Sequence, residues 1–346
     1  MEKQKFVSRR CFIGTAALTA GFTVAGTESV RGEASAGSSQ GRLPREVWIA
    51  TVSQQGLSAN TPQQMAQNVL AMMEKSVVYR PDVICLPEVF LSSHLVRQNM
   101  SLSEQAEVSG ELLKDFMDFA KTNHCYLICP MITREDVKIY NSAVVVDRQG
   151  NRVGTYHKIH LPEDELEAGI TPGPLLPPVF KTDFGVIGIQ ICFDCIWNDG
   201  WKALRNQGAE IVFWPSAYSG GQVINARAWQ NKYVVVASTL ERSKICDITG
   251  DVVAQTGIWD RNLICAPVNL EKAFLHTWPS VQLFDQIRAK YGRKINIVTY
   301  HEEQWSVIES LSPDLCVNDI LKEFNIRTFE QLTHDAEVTA NQHRIS

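Results

Sequence analysis

Between about residues 46 and 270, short runs of aliphatic and β-branched residues alternate with stretches in which apolar positions return every three or four residues. The runs are VWIATVS (47–53), DVICLPE (82–88), CYLICPMI (125–132), YNSAVVVD and RVGTYHK on either side of RQGN, GVIGIQI (185–191), AEIVFWP (209–215), YVVVAST (233–239) and NLICAPVNL (262–270). Each predicts a strand, because branched side chains pack well on a pleated surface, and RQGN predicts a hairpin turn. TPQQMAQNVLAMMEKSV (61–77) predicts a helix capped by Thr61 with Pro62 in its first turn; Met65, Val69, Met72, Met73 and Val77 recur about one turn apart and form its core face. Further helices are predicted over 111–122, in WNDGWKALRNQG before a glycine stop, and in INARAWQNK. Alternating strands and helices predict an α/β domain over 46–270. No period of 20 to 50 residues recurs, so nothing supports a solenoid or propeller. Residues 271–346 are richer in charge and mostly helical in pattern, and are expected to pack as an extension on the core or on another subunit.

The N-terminus departs from this pattern. SRRCFIG (8–14) sets a twin arginine before the apolar CFIGTAALTAGFTVAG, and ASA (34–36) offers a small-residue cleavage site. Residues 1–36 are expected to be a twin-arginine export signal, followed by a polar linker at 37–45, with the mature protein periplasmic or otherwise extracytoplasmic. No later stretch is long and apolar enough to span a bilayer.

Composition narrows the chemistry. The 346 residues are 45% hydrophobic and 21% charged, with a formal net charge of −5. This is the composition of a folded domain, and it lacks the basic surplus that nucleic-acid binding needs. It leaves room for a small neutral or cationic substrate. Nine cysteines are spread through apolar strands rather than gathered in a disulfide framework. HEE at 301–303 has no second ligand pair at helical spacing, so it reads as a surface stretch and not as a metal site.

FGVIGIQICFDCIW (184–197) holds the sharpest chemical signal, an apolar strand ending on Cys192 with Cys195 three residues later. A thiol at the end of a buried strand, where the chain turns into a helix, is exposed by the turn and acidified by the helix N-terminus. Cys192 and Cys195 also form a C-x-x-C pair, which leaves thiol–disulfide exchange as a reading from another class. A thiol nucleophile needs a base and an oxyanion partner. No clear Cys/His pattern is present. CLPEVF ends a strand on Glu88 and YHKIHLPEDE ends one on Lys158, and strand ends of an α/β sheet converge at one edge.

These segments, PE after a strand, K-x-H-L followed by acids and TPG, and the G-x-x-I-C-x-D elbow, resemble the nitrilase or carbon–nitrogen hydrolase superfamily over residues 45 to 270. GAEIVFWPSA, ARAWQNKYVVVAS and SKICDITGDVVA resemble its later segments. The resemblance implies a four-layer α-β-β-α sandwich, no metal or organic cofactor, and a homodimer or larger homo-oligomer. It makes Cys192 the nucleophile, Glu88 the general base and acid, and Lys158 the oxyanion cation, with the Phe193 backbone N–H completing the oxyanion hole. A second assisting acid matches Glu165 best by spacing, with Glu163, Asp164 and Glu167 as alternatives. Trp214, Ser216 and Ala217 would lie near the acyl pocket. The implied reaction is hydrolysis of a non-peptide amide or carbamoyl group through a thioester, or of a nitrile by the same residues. The chain departs from the family pattern in having no arginine just after the elbow, Gln230 where an acid is common, and Ser238 where asparagine is frequent.

Overall fold

A computed structural model of the chain describes residues 42–97, 100–259 and 262–345. The predicted export signal and most of the linker lie outside the described residues. The elements run β1 (Glu46–Val52), α1 (Pro62–Glu74), β2 (Val83–Cys85), α2 (Leu102–Asn123), β3 (Tyr126–Glu135), β4 (Lys138–Val146), β5 (Arg152–His157), α3 (Glu163–Glu167), β6 (Val179–Lys181), β7 (Val186–Ile189), α4 (Asp199–Asn206), β8 (Ile211–Ser216), α5 (Gly221–Asn231), β9 (Val234–Thr239), β10 (Lys244–Cys246), β11 (Val252–Gln255) and β12 (Leu263–Asn269).

Two six-stranded sheets result, ordered β12-β1-β2-β3-β4-β5 and β11-β10-β9-β8-β7-β6. Each has three parallel strands at its heart, β1-β2-β3 and β7-β8-β9, joined by helical crossovers and flanked by antiparallel strands. The period-2 alternation of the strands sorts side chains into layers. Val47 and Ile49 of β1 meet Ile187, Phe213 and Val236 in the core between the sheets, while Ala50 and Val52 face Met65, Val69, Met73 and Phe116 under α1 and α2. On the other side Val235 and Ala237 pack with Trp201, Leu204, Trp214 and Ile224 under α4 and α5. The molecule is a four-layer α-β-β-α sandwich.

α1 begins as predicted, with the Thr61 hydroxyl accepting the Gln64 N–H at 3.2 Å. α2 begins at Leu102 instead of 111. Ser101 and Glu104 close a capping box there, and the polar residues that follow carry too weak an apolar period to betray a helix.

The segment after 270 is less helical than its pattern predicts. β13 (Lys272–His276), α6 (Thr277–Tyr291), β14 (Ile295–Tyr300), β15 (Trp305–Ser310), α7 (Val317–Glu323) and α8 (Phe329–Ile345) include a three-stranded antiparallel sheet, β13-β15-β14. Leu275, Phe284, Ile287, Ile308 and Ile320 give it a small core of its own. The HEE triplet is the exposed tip of the β14–β15 hairpin, a turn that breaks two short strands and hides their alternation. Among the described residues no group of three or more His, Cys, Asp or Glu is arranged to hold a metal ion. The segment is fastened to the sandwich. Lys272 Nζ pairs with Asp247 at 2.8 Å, Asn269 Nδ2 donates to Glu309 at 3.0 Å, and Lys232 Nζ lies 4.0, 4.1 and 5.3 Å from the ring centroids of Trp229, Phe274 and Phe329.

Candidate active site

Glu88, Lys158, Cys192 and Ala217 each follow the C-terminal end of a strand, β2, β5, β7 and β8, and these ends meet at one edge of the sandwich. Glu88 and Lys158 are 5% and 1% exposed, far below what a solvated acid or lysine shows. Lys158 Nζ donates to Glu88 Oε1 at 2.9 Å and to Glu165 Oε1 at 2.6 Å. Of the four acids considered in 163–167, Glu165 is therefore the one on the lysine. Glu88 Oε1 also accepts Asn141 Nδ2 at 2.9 Å, and its Oε2 accepts the Ala217 N–H at 2.9 Å.

The charges inside this cluster oppose burial. Burial pulls the Lys158 ammonium towards the neutral form, but the charges of Glu88, Cys192 as thiolate, and Glu165 outweigh it and hold the lysine well above its ordinary pKa. Burial lifts the Glu165 carboxyl, and the Glu88 charge adds to the rise against the pull of Lys158 and Asn141. Breaking such a pair by removing one partner leaves a buried charge uncompensated, at about 3–5 kcal/mol.

Cys192 sits in the left-handed region at φ +44, where a side chain is strained by about 1–2 kcal/mol. Val89, directly after Glu88, is held there too at φ +46 and is β-branched. The elbow is restrained from below. Asp194, fully buried, accepts the Ile191 N–H at 2.9 Å, the Tyr156 hydroxyl at 2.6 Å, and the His160 backbone N–H at 2.8 Å, with His160 Nδ1 at 3.0 Å. Trp214 Nε1 donates to the Cys192 carbonyl at 3.0 Å. Arg227 of α5 clasps the next stretch, its Nη2 donating to the Cys195 carbonyl at 2.7 Å and its Nη1 to Asn198 at 2.7 Å.

Two expectations need correction. The chain after Cys192 forms a 3-10 turn, Cys192–Ile196, and not the start of an α-helix, so no helix terminus acidifies the thiol. Burial and then the Glu88 charge push the Cys192 thiol up to about 12, against the pull of Lys158, Ser216 and the Ala217 N–H. Trp214 is fully buried and packs under α4 and α5, supporting the elbow from behind, because its position on β8 faces the helices. Cys192 and Cys195 are both free; Cys192 packs on the core between the sheets and Cys195 on the core beneath the helices, so they face opposite sides of the sheet. The Cys195 sulfur instead lies 2.8 Å from the Tyr218 hydroxyl.

Ser216, also fully buried, accepts the Tyr218 N–H at 3.1 Å, and the Ser216 hydroxyl and Ala217 N–H face the thiol. Phe193 follows Cys192 in the 3-10 turn, its ring edge-on to Trp197. Ser238, standing where asparagine is frequent, has its hydroxyl 2.7 and 2.9 Å from the Val52 and Cys85 carbonyls and so ties the two sheets together. Gln230 accepts from Arg227 at 3.3 Å. Sequence reasoning missed Asn141, Arg227 and Tyr156, and took Asp194 only as a letter of the elbow. Their signal was slight: a polar residue opening a strand, a charged residue in an apolar helix face, and a tyrosine in a strand.

A family model described as carbon–nitrogen hydrolase matches residues 49–273. Among curated proteins, the deaminated glutathione amidase of Dictyostelium discoideum is 24% identical over 233 residues, 61% of this chain and 77% of that protein. The nitrilase and fragile histidine triad fusion protein NitFhit of Drosophila melanogaster is 31% identical over 156 residues, 41% of this chain, and the beta-ureidopropionase of Arabidopsis thaliana 31% over 147 residues, 40% of this chain. The match spans only 34% and 36% of those two proteins. Among solved structures, an amidase from Nesterenkonia sp. superposes with a TM-score of 0.58 at 17% identity, covering 70% of this chain and 96% of its own. Saccharomyces cerevisiae Nit3, a member of branch 10 of the nitrilase superfamily, gives 0.57 at 18%, covering 72% and 96%. At such identities the structural likeness speaks for the fold, and the family model for descent. With the model matched across the whole sandwich, from β1 into β13, the chain belongs to the carbon–nitrogen hydrolase family.

Proposed function

We propose that this chain hydrolyses a non-peptide carbon–nitrogen bond, in an amide or carbamoyl group of a small molecule, through a thioester on Cys192. The observation that carries the reading is the buried Glu88 carboxylate, bonded by Lys158, Asn141 and the Ala217 N–H at the strand end beside a strained thiol. A thiol pushed up to about 12 is protonated at neutral pH and needs a base at hand. Glu88 takes the thiol proton as sulfur attacks the carbonyl carbon, and the electron pair of the C=O moves onto oxygen. The Lys158 ammonium and the Phe193 N–H meet that charge. The oxyanion collapses, the C–N bond breaks, and Glu88 returns the proton to the leaving nitrogen. Glu88 then takes a proton from water, whose oxygen attacks the thioester and releases the acid and the thiol. Glu165 acts by keeping Lys158 charged and fixed.

The relatives support this class of reaction, since two are named as an amidase and a ureidopropionase and a mutant of the Nesterenkonia amidase is described as carrying acrylamide added at its active-site cysteine. A neutral or cationic substrate is favoured over one gripped by a carboxylate, because Arg227 spends its guanidinium on the Cys195 and Ile196 carbonyls and Asn198. The test is ammonia or amine release over a panel of aliphatic amides, carbamoyl compounds and nitriles. Cys192→Ser abolishes release and Cys195→Ser retains it; loss of turnover in both variants to the same extent overturns the reading in favour of the cysteine pair.

We further propose export through the twin arginine, with residues 271–346 contributing to contacts between subunits of a homo-oligomer. Replacing Arg9 and Arg10 by lysine is expected to retain the protein in the cytoplasm, and light scattering on the mature chain reads its mass; secretion of the double variant, or a monomer, counts against each in turn.

A further inference from the structure

Asn141 of β4 touches every charged member of the cluster and is 2% exposed. Its Nδ2 donates to Glu88 Oε1 at 2.9 Å and reaches Glu165 Oε1 at 3.5 Å, while its backbone carbonyl accepts the Lys158 N–H at 2.8 Å. The amide cannot be turned over, since that would aim its oxygen at two carboxylates. In this orientation Oδ1 is buried with no partner among the described residues, and so is Glu165 Oε2. A buried acceptor left unpaired costs about 1–3 kcal/mol, so an asparagine kept only for packing would be a poor choice here. What it supplies is a donor without a charge. Lys158 already counters one of two carboxylates; an amide N–H adds a hydrogen bond to the Glu88 carboxylate without adding a charge beside the carbonyl oxygen.

We propose that Asn141 is the positioning residue of this site, holding the Glu88 carboxylate aimed at the Cys192 thiol through its amide N–H. The assignment rests on Glu88 being the base of the thiol. The charged and titratable groups facing Glu88 are Lys158 after β5, Glu165 on α3, Cys192 after β7 and Tyr218 after β8; of these, Glu165 also loses its contact with the amide when position 141 is substituted.

The test follows carboxamidomethylation of Cys192 by iodoacetamide in the full-length protein between about pH 5 and 9, read by peptide mass spectrometry. An amide donor favours the charged form of the carboxylate it bonds, so in Asn141→Ala the acid limb of the labelling profile is expected to move up by about one pH unit. In Asn141→Asp, which keeps the shape but adds a third carboxylate, it moves further. Labelling at the plateau falls by about 10-fold in both. Lower melting temperatures with the wild-type limb retained would mean a merely structural role and overturn the assignment. Glu88→Gln separates the two readings. If it abolishes the limb while the Asn141 variants leave it in place, only the role of Asn141 falls; if it keeps the wild-type limb, the base falls and the positioning with it.

Discussion

Cys192 combines two properties that an ordinary buried cysteine lacks, a left-handed backbone and a carboxylate, an ammonium and a backbone donor around its thiol. The first is strain, and strain at a nucleophile persists only where the surroundings enforce it. Cys192→Gly is therefore expected to unfold at a higher temperature than Cys192→Ala, by about 1 kcal/mol, even though glycine gains more freedom in the unfolded chain. Thermal melts of the two variants decide; alanine melting higher would remove the strain. Glu88, Lys158 and Cys192 were legible in the sequence only together, because each follows a predicted strand within a segment that resembles the family's pattern, whereas any one of them alone reads equally well as a structural or solvated residue. Asn141 was not, since one polar residue at the start of YNSAVVVD is what any half-exposed strand carries.

At the scale of elements, the elbow is a strand, a 3-10 turn and a short helix held by side chains from elsewhere. Asp194 accepts donors from its own turn, from β5 and from the stretch after β5, so one carboxylate ties the nucleophile's turn to the segment that carries Lys158. Asp194→Asn keeps the volume but gives one oxygen where two accept and turns an amide donor onto other donors. Equilibrium unfolding in urea is expected to lose about 3 kcal/mol with an unchanged slope, and Cys192 labelling to slow. A loss within about 0.5 kcal/mol, the range of ordinary surface substitutions, would show that the turn stands without it. The central strands and α1 followed from periodicity, while the first turns of α2 and the short elements α3, β6, β10 and β11 did not. The helix expected after Cys192 did not, because CFDCIW offers no periodic face and the donor-rich surroundings of Asp194 decide the turn.

In the whole molecule, two βαβαβ halves stack with their parallel strand ends on one side, and the C-terminal segment closes over the end of α5. Lys232 marks that junction, its ammonium among Trp229, Phe274 and Phe329. The rings favour the cation, yet burial outweighs them and brings the lysine down to about 8. In the unfolded chain the lysine holds its proton up to about pH 10.4, so between about pH 8 and 10 the unfolded state binds more protons and this group's contribution to stability rises with pH. Lys232→Met is expected to melt above the wild type at neutral pH and to lose that rise. Parallel melting profiles for the two proteins would place the lysine outside the junction's energetics.

The sequence by itself determined the α/β alternation, the residues that end strands, and the family resemblance that joins them, because strand and helix periods and strand-end chemistry are local properties of the chain. Tertiary structure alone decided which of the acids in 163–167 meets Lys158, that Cys192 and Cys195 face different layers, that Trp214 lies behind the elbow, and that Asn141 bridges two carboxylates. Each of these depends on which face of a strand lands in which layer and on partners tens of residues away. No local pattern carries that information.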